Sequence, residues 1–258
     1  MPTETEQTAT SQRPNPTVWV ALLLLAAAGW TVVLLQVRGM GQMDQGMAEL
    51  SPQPASLLLF LPVWVSMMAA MMFPVVAPVV SLFAAISRRR QAAGEQAASP
   101  VTFLAGYLAV WTLFGVAAYL LSLAAPAIGM AAPGLRAYSP VAAGLLLILA
   151  GVYQWSPLKQ VCLRHCRSPL SVIMHGWREG AGGAFRMGAG HGVYCLGCCW
   201  GLMAVLFAVG LMNLLAMLLL TAIIFAEKVV PRGPVIGKAA AVGLVLFGAL
   251  TLTMRLPG

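Results

Sequence analysis

The stretch HGVYCLGCCWGLM, residues 191–203, places one imidazole and three thiols, His191, Cys195, Cys198 and Cys199, inside an otherwise apolar run. Positions three or four apart share one face of a helix. His191, Cys195 and either Cys198 or Cys199 therefore form one stripe, which Met203 extends from Cys199. Thiolate, thioether and imidazole are the ligands that select a soft ion such as Cu(I). The C-x-x-C spacing of Cys195 and Cys198 also suits thiol–disulfide exchange. Buried cysteine often acts as a small hydrophobe. Ionisable groups in an apolar span are costly, however, so a dense cluster of them points to function.

Three further groups could serve the same chemistry. Met67, Met68, Met71 and Met72 form two M-x-x-x-M pairs on neighbouring helix faces, followed at once by Pro74 and Pro78. Each proline removes a backbone donor, leaving carbonyls beside the thioethers. Cys162, His165 and Cys166 lie within one turn of a basic segment and make a candidate transfer site, with too few ligands for a closed zinc site. Met40, Met43 and Met47 follow the first apolar run and make a candidate outer capture site, where a thioether survives oxidation that a thiol would not. Packing, or an amphipathic segment resting on a membrane surface, is the simpler account of each group. Glu227 adjoins Lys228 at the end of an apolar run; a boundary ion pair is the plain reading, and a release or proton-linked role the functional one.

The elements that must position these residues follow from composition. At 60% hydrophobic and 9% charged, the chain lies far from the usual soluble balance, and it reads as an all-α, polytopic membrane helix bundle. Seven runs are long enough to be drawn as spans, at about 18–36, 56–86, 101–125, 138–156, 189–209, 212–229 and 236–254. The fifth and sixth divide at the turn signal Gly210 to Asn213. A cytoplasmic N-terminus puts twelve of the fifteen basic residues on the inner side, leaving Arg38, Arg136 and Arg255 outside. The net charge of +8 thus reports topology in the plasma (inner) membrane and gives no reason to expect nucleic acid. Residues 1–17 read as a disordered polar tail and 18–258 as a single transmembrane domain. The first apolar run continues past a small-residue site at Ala26 to Ala28, which favours an anchor over a cleaved signal. Gly188, Gly192, Gly197 and Gly201 provide small-xxx-small faces for close helix approach. Gly188, Gly190 and Gly192 do not make a phosphate loop, because no strand precedes them. ATP-driven pumping and hydrolytic catalysis are accordingly not expected.

The elements AMMFP at 70–74 with Pro78, SPLKQVCLRHCRSP at 156–169, HGVYCLGCCWGLM at 191–203, MNLLAM at 212–217 and EKVVP at 227–231 resemble a bacterial family of predicted metal-binding integral membrane proteins of unknown function. The resemblance covers roughly residues 60–232 and implies a polytopic membrane protein that binds metal. The residues themselves favour a Cu(I) permease or delivery factor working with a metal donor or acceptor protein. A membrane thiol oxidoreductase using Cys195 and Cys198 is the second reading. An assembly partner, joined to itself or to another membrane protein through its glycine-lined faces, is the third.

Overall fold

The computed structural model describes residues 16–42, 54–96, 98–131, 139–210 and 213–255, and the described residues contain helices and no strand. In chain order the helices are α1 (Pro16–Gln42), α2 (Pro54–Ala92), α3 (Pro100–Ala131), α4 (Ser139–Tyr153), α5 (Pro157–Arg167), α6 (Pro169–Gly176), α7 (Gly180–Val209), α8 (Leu214–Val229) and α9 (Gly233–Arg255). The polar tail before residue 16 lies outside the described residues.

Local chemistry explains where the chain breaks. Between α4 and α5 the axis bends by 61°. There Ser156 accepts a hydrogen bond from the Lys159 backbone N–H at 3.1 Å and Pro157 opens α5, a cap and first-turn proline that satisfy the orphan donors of a new helix. Between α7 and α8, Gly210 adopts φ +106°, a conformation that glycine enters without a Cβ penalty. Asn213 then caps α8 by accepting from Ala216 N–H at 3.0 Å. The break expected at this point is therefore present, with α7 ending before Gly210 and α8 starting after Asn213. In α2, by contrast, Pro62, Pro74 and Pro78 are carried within one helix of 39 residues.

The expected seven spans are not all present. Five helices among the described residues are long and apolar enough to cross a membrane, and the bent pair α4–α5 brings the number to six at most. The shortfall has a geometric cause. At 16 residues, α8 is about 24 Å long, short of the ~30 Å hydrocarbon core that a span must cross.

Helix α7 organises the fold by packing on α3, α5 and α4. Glycine makes each approach close. A Cβ at Gly188 would collide with the Phe103 carbonyl of α3, and one at Gly106 with the Phe185 carbonyl of α7. A Cβ at Gly197 would lie 2.7 Å from Cys162 Sγ of α5, and one at Gly201 would lie 3.1 Å from the Tyr153 ring of α4. The glycine pairs read from the sequence thus meet three neighbours in succession along α7. The principal buried core runs from Met67 to Met72 on α2 through Tyr107 on α3 to Cys195, Cys198, Cys199 and Met203 on α7.

Candidate functional site

Because Gly197 lacks a Cβ, α5 lies close against α7 and the Cys162 thiol fills the notch. One turn further along α5, Cys166 reaches α7 itself. Its Sγ stands 3.7 Å from Cys198 Sγ. A residue that the sequence assigns to a separate transfer site therefore joins the thiols of α7. The three residues expected to act together there diverge. Cys162 packs against Gly197, and His165 stacks its ring on Tyr194 with centroids 3.7 Å apart. Of the three, Cys166 is the one whose thiol is paired with a thiol of α7.

Within the cluster the thiols have different surroundings. Cys198 Sγ donates to the Cys195 carbonyl at 3.1 Å, and Cys199 Sγ donates to the same carbonyl at 2.7 Å. Cys195 Sγ instead receives the Lys228 ammonium at 2.9 Å and shares a hydrogen bond with the Tyr107 hydroxyl at 3.1 Å. All five cysteines are free and buried. His191, one turn before Cys195, is buried between the Phe103 and Tyr107 rings. Its Nδ1 has no hydrogen-bond partner. Buried polar atoms are nearly always paired, so this nitrogen has unused capacity to bind a ligand. Among the described residues, no three His, Cys, Asp or Glu side chains stand in a closed metal-holding arrangement. The sulfurs that do meet across the two helices are those of Cys166 and Cys198, with Cys195 one turn before Cys198 and Cys199 on α7.

Glu227 and Lys228 do not form the boundary pair read from their adjacency. Lys228 turns to Cys195, whereas Glu227 accepts from Lys159 Nζ through both carboxylate oxygens, at 2.8 and 2.9 Å. The side chains of this second pair are only 1% and 2% exposed. Arg167, at the end of α5, donates to the carbonyls of Glu227, Val230 and Pro231, capping α8. Gly237 leaves room for the carboxylate, since a Cβ there would collide with Glu227 Oε1. The polar contacts of Lys159 and Arg167 thus tie α5 to α8 on one side while Cys166 meets α7 on the other.

Met67, Met68, Met71 and Met72 are buried on α2, which packs mainly on α1 and α3. They share the apolar core with the thiols, with α3 packing on both α2 and α7. Met43 and Met47 lie outside the described residues, as does the Met40 side chain.

Tyr107, Lys159 and Lys228 are site residues that the motif reading passed over. A signal existed for the two lysines, because a cation inside or beside an apolar run needs a buried partner. Tyr107 had none, since its position depends on how α3 crosses α7. A family model described as "PpoB2: Copper chaperone" matches residues 61–251. No curated protein and no solved structure matches the chain.

Proposed function

This chain belongs to the PpoB2 copper chaperone family, and we propose that it is a multi-pass membrane protein that receives Cu(I) as cargo and hands it to an acceptor protein. The observation that carries this reading is the meeting of the Cys166 thiol on α5 with the Cys198 thiol on α7, beside the buried thiols of Cys195 and Cys199. Soft sulfur ligands in a buried space favour Cu(I) over hard divalent ions. Cys166, Cys195 and Cys198 would hold the ion. His191 Nδ1, unpaired one turn away, and Cys199 are the groups available when the ion moves along α7.

The division of ligands between two helices supports delivery over storage. If one helix supplied every sulfur, the set would move as a rigid unit. Here a displacement of α5 relative to α7 changes the ligand number by one, which is how a site gives up its ion to a competing thiol. The Lys159–Glu227 pair and the Arg167 contacts set the resting position of α5. Lys228 places its ammonium against Cys195 Sγ, so an arriving Cu(I) meets a positive charge that must swing aside.

Membrane insertion is supported by the exposed apolar faces of the long helices, such as Leu24 and Leu35 on α1 and Val235 and Leu246 on α9. Faces of this size seek lipid or a partner helix. In this reading the buried methionines of α2 form a second set of soft groups, and the outer methionines Met40, Met43 and Met47 an entry point. The test is anaerobic Cu(I) titration of the purified protein in lipid nanodiscs. Stoichiometric binding that is lost in Cys195→Ser and Cys198→Ser and weakened in Cys166→Ser supports the proposal. Binding that survives all three substitutions overturns it.

A further inference from the structure

Cys166 and Cys198 combine three features. They sit on different helices, their sulfurs are 3.7 Å apart, and neither is bonded. Their neighbours are otherwise engaged. Cys162 Sγ packs at the Gly197 notch and Cys195 Sγ is held by Lys228 and Tyr107; Cys198 and Cys199 both donate to the Cys195 carbonyl, and of these two it is Cys198 that also meets Cys166. A disulfide requires an S–S separation of about 2.05 Å with suitably aimed Cβ atoms. Side-chain rotation brings two sulfurs already in van der Waals contact to that distance, and the glycine at 197 has already brought the two backbones close.

We propose that Cys166 and Cys198 are a reversible oxidation site that closes to a disulfide joining α5 to α7. This pair differs from the C-x-x-C couple Cys195/Cys198 that the sequence suggests. The oxidant is a small hydroperoxide, because the pair is buried and Cys166, at 8% exposed against 1% for Cys198, is the sulfur nearer the surface. Cys166 sulfur attacks the peroxide O–O bond, giving a sulfenic acid and releasing an alcohol. Cys198 sulfur then displaces the sulfenic oxygen as water, forming the S–S bond. In total two thiols lose two electrons and two protons, which the hydroperoxide takes up as alcohol and water. A dithiol reductant reverses the change. Oxidation removes two of the sulfurs that would hold Cu(I), so the site cannot be loaded while the bond stands. That consequence rests on the copper reading, whereas the disulfide itself does not.

The experiment treats the reduced, metal-free, full-length protein in nanodiscs with tert-butyl hydroperoxide. Remaining thiols are blocked with N-ethylmaleimide, and linked peptides are identified by mass spectrometry. The expected product joins Cys166 to Cys198. It is absent in Cys166→Ser and retained in Cys162→Ser, which shows that the product is not a general effect of substitution on α5. A dominant Cys195–Cys198 link, oxidation of Cys166 without a link, or thiols that stay reduced overturns the proposal. Preloading with Cu(I) should slow the link. If the link forms at an unchanged rate, the copper reading fails while the oxidation site stands.

Discussion

The buried pair Lys159–Glu227 sets the position of α5 and therefore of Cys166. Lys159→Met leaves the Glu227 carboxylate, 2% exposed and pressed against Gly237, without its two hydrogen bonds. Breaking one side of such a pair costs about 3–5 kcal/mol, because a charge is left buried without compensation. The same cost applies to Glu227→Met, which strands the ammonium. Replacing both by apolar residues of similar length removes both charges, so Lys159→Met/Glu227→Met should recover most of the loss. The two single losses sum to about 6–10 kcal/mol while the double variant loses little, so the coupling approaches that sum, many times the ~0.2–1 kcal/mol of an exposed pair. Unfolding by denaturing detergent in mixed micelles, followed by tryptophan fluorescence, measures the cycle. Single variants that each lose under ~1 kcal/mol, or losses that simply add, would refute the claim that this pair is desolvated and anchors α5.

Other substitutions test the geometry in turn. Gly197→Val puts atoms where Cys162 Sγ now packs; it should push α5 away and reduce both Cu(I) affinity and the Cys166–Cys198 link, read by titration and mass spectrometry. Gly188→Leu should destabilise the α3–α7 crossing by about 1–3 kcal/mol, the usual range for overpacking, or more given the backbone contact there; detergent unfolding reads it. Tyr107→Phe removes one hydrogen bond to Cys195 and should cost about 0.5–1.5 kcal/mol with Cu(I) stoichiometry unchanged, as calorimetric unfolding and metal analysis would show. Asn213→Ala removes the α8 cap and should cost about 0.5–2 kcal/mol, measured in the same unfolding assay.

Helix periodicity made a good part of this arrangement legible. The small-xxx-small pairs 188/192 and 197/201 marked points of close approach along α7, although the helix that each glycine meets did not follow from the pattern. The break at Gly210 to Asn213 was legible from its residue types. The cluster at Cys195, Cys198 and Cys199 was visible for the same reason, as a local stripe. What escaped the sequence depends on chain return. Cys166 is 32 positions from Cys198, and nothing local says that α5 folds back to it while His165 turns away to Tyr194. The divergence of Glu227 and Lys228 was within reach, since successive helix positions point about 100° apart and neighbours seldom share a partner. The span count erred because hydropathy marks an apolar run without showing whether its helix is long enough to cross. Helix α8 ends at Val229, where the apolar run ends, but starts only at Leu214 behind the Asn213 cap, so its 16 residues fall short of a span.

The central claim is that sulfurs from two helices together hold one cuprous ion. X-ray absorption at the copper edge of the Cu(I)-loaded protein in nanodiscs, compared with its Cys166→Ser variant, tests it most directly. One bound ion with a sulfur-dominated shell is expected in the wild-type protein, and one fewer sulfur scatterer in the variant. A shell of nitrogen and oxygen alone, or a sulfur shell unchanged by loss of Cys166, would contradict it.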